Sequence, residues 1–189
     1  AGLLGIAIPE AHGGAGLGIT EAALMMQSVA GGPGAFAAAS SIHLNIFGLN
    51  PVVVFGTDDQ RARMLPPIIS GDHRACFGVT EPDAGLDTGS LKTKAFRDGD
   101  TYIVQGRKVW TTNAQSASHI LLLARTTPRE DATKSTDGLS LFYTALNRDY
   151  VTVREIDKMG RKAVDSNEVF IDGLPVPAED RIGEEGEGF

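Results

Sequence analysis

Cysteine is almost absent from this chain: Cys76 is the only one in 189 residues. A lone thiol cannot close an internal disulfide, which fits a reducing compartment, so a cytoplasmic location is expected. Basic residues are outnumbered too, 17 Lys and Arg against 24 Asp and Glu, for a net charge of −7. A nucleic-acid surface needs clustered bases to neutralise phosphates, so no nucleic-acid partner is expected. There is no unbroken apolar run of about 18 residues and no basic-then-apolar leader, so no membrane span is expected. Asn-x-Ser/Thr does not occur. The histidines, His12, His43, His73 and His119, are scattered, and none stands at ligand spacing from Cys or Asp. No metal site is expected.

What is present is enough apolar residue, 42%, to bury a substantial core. Composition shifts near residue 75. Before it the chain is rich in Ala, Met and Leu and reads helical. Thr20 is placed as the N-cap of "EAALMMQSVA", with Glu21 in the first turn where the helix dipole favours an acid. "GGPG" at 31–34 breaks that helix, and "AFAAASSIHLNIFGL" starts the next. Asn50-Pro51 reads as N-cap and first helical residue. "TDDQ" at 57–60 is a capping box, in which Thr57 caps and Gln60 reaches back. The helix that follows is expected to stop at Pro66-Pro67.

After residue 75 the hydrophobic period becomes two. "LKTKAF" and "TYIVQ" flank Asp98-Gly99, a hairpin signal. "HILLLAR", "LSLFYTAL", "VTVREI" and "NEVFI" follow as short strands between turns, and the polar "TTPREDATKSTDG" reads as an exposed loop. The expected fold is α+β. A partial N-terminal α-helical domain, 1–74, precedes an antiparallel β-barrel or sandwich domain, 75–189. The chain opens without Met and stops at "GEEGEGF" with no closing element, so it is expected to be a piece of a larger protein.

Few stretches carry chemistry. "HGGAGLG" at 12–18 lacks the spacing of a dinucleotide loop and reads as a turn. Cys76, inside an apolar run, reads as a packed thiol. Glu81 reads as an acceptor that stabilises its own loop. Two segments remain. In "FGVTEPDAG", 77–85, a strand ends in a hydroxyl, and Pro82 and Gly85 shape a loop that offers N–H groups to a polar ligand. In "VWTTN", 109–113, the only tryptophan stands beside two threonines. Trp110 alone reads as core filling, but an aromatic plate flanked by hydroxyls suits a planar heteroaromatic ligand.

These stretches, with "IPEAHGGAG", "FGTDDQRARMLPPIISGD", "KMGRKAVDSNEVFIDGLPVP" and "RIGEEGEGF", together resemble the acyl-CoA dehydrogenase family. The resemblance runs in order from about residue 6 to 189. It implies an FAD enzyme with an N-terminal helical domain, a middle β-domain and a C-terminal helical bundle, of which the bundle is not in this chain. It implies FAD contacts at Phe77, Val79, Thr80, Trp110, Thr111 and Thr112, and a substrate-lining loop at Gly85 and Leu86. Leu86 departs from the family pattern, which often has Ser there, and "GRKAVDS" departs from the commoner Arg-Gly-Ser form.

The implied reaction is α,β-desaturation of an acyl-CoA thioester. A carboxylate takes the α-proton while the β-hydrogen leaves as hydride to flavin N5, and hydrogen bonds steady the thioester oxygen. The implied base is a glutamate of the bundle, so no catalytic residue is expected in these 189 residues, and the piece alone is expected to be inactive. Implied partners are acyl-CoA, an electron-transfer flavoprotein as acceptor, and further copies in a homotetramer. An acyl-CoA oxidase or flavin monooxygenase on the same scaffold, or a non-catalytic ligand-binding β-domain, are the alternatives.

Overall fold

The computed structural model describes residues 3–189, which divide into two compact units. The first comprises 3–75 with Lys158–Val164, the second Cys76–Asp157 with Asp165–Phe189.

In the first unit, short 3-10 turns at Leu3–Gly5 and Glu10–His12 precede four helices. These are α1 (Ile19–Ala30), α2 (Ala35–Phe47), α3 (Asn50–Phe55) and α4 (Asp58–Ser70). Thr57 caps α4 as its sequence implies. Its Oγ1 accepts from the Gln60 N–H at 3.2 Å, and its own N–H donates to Gln60 Oε1 at 2.9 Å.

Three boundaries differ from expectation. The N-cap of α1 is Gly18, not Thr20, because Glu21 reaches back to accept the Gly18 N–H at 2.9 Å and so fixes the start two residues earlier. Leu49 occupies the N-cap of α3, which moves Asn50 and Pro51 one position inward. Helix α4 runs through Pro66 and Pro67 to Ser70. Two prolines remove two ladder donors, but Met64, Leu65 and Ile68 form one stripe that is at most 2% exposed. That burial holds the last turn in place.

By length and composition the stretch Ala35–Phe55 would reach across a membrane. It is two helices joined by a turn at Gly48–Leu49, and Leu44, Ile46, Leu49 and Val52 are buried within the unit. The core helix of a globular unit meets the same criterion.

The second unit is built on one sheet. Its strands are β1 (Ala75–Gly78), β2 (Lys94–Asp98), β3 (Thr101–Thr112), β4 (His119–Arg125), β5 (Leu139–Ala145), β6 (Val151–Glu155), β7 (Ser166–Pro177) and β8 (Arg181–Ile182). The order is β6-β7-β3-β2-β4-β5-β8, with β1 beside β4. Asp98-Gly99 makes the expected hairpin, with Asp98 opposite Thr101 and Gly99 at φ 59°. The pairings of β2 with β3, β3 with β7, β4 with β5, β5 with β8 and β6 with β7 are antiparallel, whereas β2 meets β4 in parallel at Lys94 and Arg125. The sheet has two ends, β6 and β8, so the barrel half of the expectation is corrected. The short β8 covers only Leu141 and Phe142 of β5, and no pairing joins it to β6 among the described residues.

One face of the sheet carries the core: Tyr102, Val104, Ile120, Leu122, Phe142, Val169, Leu174 and Val176 are each at most 1% exposed. Cys76 packs among them. The polar segment 126–138 is a loop, as its composition implies, with a 3-10 turn at Arg129–Asp131.

Candidate functional site

Strand β1 ends at Gly78, so Val79 and Thr80 continue outside any regular strand. Two contacts hold them. The Thr80 carbonyl accepts the Val109 N–H at 2.9 Å, and the Val79 carbonyl accepts from Lys108 Nζ at 3.1 Å. The chain then turns back: Glu81 and Ala84 exchange two backbone hydrogen bonds around Pro82 and Asp83. Gly85 and Leu86 follow in the open. Leu86 is fully exposed, and a methyl group added at Gly85 would meet nothing within 4 Å. Gly85 does not use a left-handed φ.

Val109 and Trp110 sit in a β-bulge of β3. Lys108 pairs with Val169 and Thr111 with Asn167, so two residues of β3 stand opposite Glu168 alone. Trp110 takes φ 60°, a region a bulky side chain rarely enters. Exposure then alternates. Trp110 is 58% exposed, Thr111 is buried, and Thr112 is partly exposed. Trp110 therefore does not fill the core. Phe77 of β1 is a second exposed aromatic, at 43%. The hydroxyls of Thr80 and Thr112 make no hydrogen bond among the described residues. The Thr111 hydroxyl also has no partner among the described residues but is buried, and the Thr111 carbonyl accepts from Asn167 Nδ2 at 2.9 Å.

Beneath this edge lies an ion pair. Lys108 is fully buried and Glu81 is 6% exposed. Glu81 Oε1 accepts from Lys108 Nζ at 2.8 Å and from the Thr93 N–H at 2.9 Å, and Oε2 accepts the Lys92 N–H at 2.6 Å. Burial alone would raise the Glu81 pKa. The charge of Lys108 and these hydrogen bonds outweigh it and hold the carboxyl below the usual carboxylate range. Burial pushes the Lys108 ammonium down to about 8, although Glu81 pulls the other way. Glu81 is thus a loop-stabilising acceptor, and a poor proton acceptor for a substrate. Sequence reasoning gave Lys108 and Asn167 no role. The signal for both is a polar residue at an inward position of a strand.

A pocket of about 460 Å³ opens at the β2–β4 junction. Its wall includes Phe96, Lys92, Lys94, Arg125 and Arg129 against one acid, Glu130. The Arg125 guanidinium is steered by carbonyls rather than by an acid. It donates to Gly89 O at 2.8 Å and to Ser135 O and Asp137 O at 3.0 Å. Arg125 is buried in the wall, and Lys92, Lys94 and Arg129 are the exposed cations of the lining.

The acyl-CoA dehydrogenase N-terminal domain matches residues 1–72, and the acyl-CoA dehydrogenase middle domain matches 76–174. An acyl-CoA dehydrogenase of Bacillus subtilis (strain 168) is 33% identical over 189 residues, which is 100% of this chain and 48% of the relative. Butyryl-CoA dehydrogenase from Megasphaera elsdenii superposes with a TM-score of 0.89 at 30% identity, covering 100% of this chain and 49% of that one. The prolyl acyl carrier protein oxidase AnaB does so with 0.89 at 31% identity, over 99% and 49%. The chain thus spans about half the length of the proteins it matches. It belongs to the acyl-CoA dehydrogenase family.

Proposed function

We propose that this chain carries the N-terminal half of an FAD-dependent acyl-CoA dehydrogenase that desaturates an acyl-CoA thioester between Cα and Cβ. The observation that carries the reading is the edge at Thr80 and Trp110. A bulge turns an indole outward at a strained φ, next to two hydroxyls with no partner among the described residues. Strain of this kind is held in place by the surrounding structure and clusters at ligand-binding sites. A planar cofactor with hydrogen-bonding edges fits such a surface, and FAD, when bound, supplies the hydride acceptor.

Phe77 and Trp110 would flank the ring, and Thr80 and Thr112 would offer hydroxyls to its edge. Val79 would line the same edge. Thr111 would contribute only through its backbone, since its side chain faces inward. Gly85 and Leu86 would line the acyl-CoA path with backbone groups and an apolar side chain. Leu86 cannot supply the hydrogen bond a serine would. The basic pocket at Arg125 would take a phosphate-bearing part of the substrate. Glu81 is locked by Lys108 and is not the proposed base, which, as the family resemblance implies, would lie outside these residues. An electron-transfer flavoprotein is the proposed acceptor, and a tetramer in a reducing compartment the proposed state.

The test is the full-length protein purified from cells. It should be yellow, release FAD on acid denaturation, and lose its flavin colour when acyl-CoA is added anaerobically. A folded protein that purifies colourless and binds no added FAD would refute the reading. The likeness to an oxidase favours one second reading, in which oxygen accepts the electrons. Rapid reoxidation by air would distinguish it.

A further inference from the structure

Val79 and Thr80 lie past the end of β1, and Trp110 lies in a bulge. Neither is held by a regular ladder. Two contacts join them: the Val109 N–H of the bulge donates to the Thr80 carbonyl at 2.9 Å, and one buried ammonium group reaches the residue before it. Lys108 Nζ reaches the Val79 carbonyl at 3.1 Å, while the Lys108 backbone forms the last regular pair before the bulge, opposite Val169. Glu81, two residues beyond Val79, holds that ammonium at 2.8 Å and is itself pinned by the Lys92 and Thr93 N–H groups. Several stretches of backbone thus converge on one buried ion pair. Such a pair is a weak source of stability, because desolvation cancels much of the attraction. Its directional contacts are a strong means of fixing geometry.

We propose that Lys108, held by Glu81, is a positioning residue that sets Val79–Thr80 against the Trp110 bulge and so shapes the flavin-facing edge. The proposal rests on the flavin reading above. It predicts that the pair governs how flavin is held beyond what it does for folding.

The test uses the full-length protein and two scales, the FAD dissociation constant and the visible spectrum of bound FAD, with Tm as the control. Lys108→Met alone strands Glu81 and should lower Tm. Adding Glu81→Gln removes the stranded charge and should recover Tm. The double variant still lacks the bond to Val79, so it must order Val79–Thr80 on binding and its FAD dissociation constant should stay about tenfold above wild type. The bound-flavin spectrum should stay shifted.

A double variant with recovered Tm, wild-type affinity and wild-type spectrum would overturn the proposal, because the pair would then be structural only. If that variant does not fold, Lys108→Leu with Glu81→Gln, which likewise has no donor for the Val79 carbonyl, is read on the same scales. Failure of both to fold would also overturn it, since the pair would then be holding the fold. A wild-type protein that binds no FAD removes the flavin reading itself, and this proposal with it. That outcome is visible before any variant is made.

Discussion

Trp110 offers a test in which the order of two substitutions matters more than either alone. At φ 60°, an L-residue carries a steric penalty of about 1–2 kcal/mol that glycine does not. Glycine has its own cost, about 0.5–1 kcal/mol of extra unfolded-chain freedom relative to alanine. The indole is 58% exposed, so less than half of its surface is covered. With about 250 Å² per tryptophan at about 25 cal/mol/Å², that coverage is worth about 2.6 kcal/mol, of which the small replacement keeps a part, so removing it costs about 2 kcal/mol.

Trp110→Ala keeps the backbone penalty and removes the coverage, so it should destabilise by about 2 kcal/mol. Trp110→Gly removes the same coverage but gains the relief, so it should destabilise by about 1 kcal/mol. Glycine should thus be the better replacement, the reverse of its rank at an ordinary strand position. Urea unfolding of the FAD-free protein measures both. Equilibrium titration with FAD on the same samples should show weaker binding in each, because neither replacement offers an aromatic face to the ring. A destabilisation of about 3–5 kcal/mol in Trp110→Ala, the range of a core tryptophan, would refute the surface placement. Alanine outranking glycine would refute the backbone argument.

Two further outcomes follow from buried groups. The Cys76 thiol is 1% exposed and burial pushes its pKa up to about 12, so a thiol reagent should label it only as the protein unfolds. Labelling of the folded protein at a free-thiol rate would contradict this. Glu81 has a folded pKa below its ordinary 4.5, so its contribution to stability is present above pH 4.5 and is lost as pH falls through the lower folded value. Glu81→Gln should therefore flatten this part of the acid limb of a Tm–pH curve, and an unchanged acid limb would argue against the paired carboxylate.

Local signals were legible where one residue type settles a local question. Thr57 and Gln60 cap α4 because each supplies the atom the other needs. Asp98-Gly99 turns because glycine takes the φ the hairpin requires. Signals failed where tertiary packing overrode them. Pro66 and Pro67 read as a stop, yet buried Leu65 and Ile68 carry α4 past them. Sheet closure was not legible at all. It depends on whether the end strands meet, and strand patterning says nothing about that. The resemblance brought Phe77, Val79, Thr80, Trp110 and Thr112 forward as one group, and they lie on two stretches of backbone, 77–80 and 110–112, that are linked by the Val109 N–H to the Thr80 carbonyl. Thr111 belongs to that group by sequence but not by side-chain direction.

The reason lies in parity. Side chains in a regular strand alternate, so residues two apart share a face. Along β3, Tyr102, Val104 and Lys108 all point inward. A regular strand would therefore send Trp110 and Thr112 inward as well and leave Thr111 outside, which is the core-filling arrangement that the tryptophan alone suggests. The bulge after Lys108 inserts one residue and inverts the pattern. Trp110 and Thr112 turn outward and Thr111 is buried. No residue at 108–112 announces the inversion, because neither glycine nor proline marks it. It is fixed from outside the strand, by Lys108 reaching Val79 and Glu81 on one side and by Asn167 holding the Thr111 carbonyl on the other. The outward tryptophan is therefore a product of buried polar contacts made across the sheet, and those contacts are where substitutions should reach the site without touching its surface.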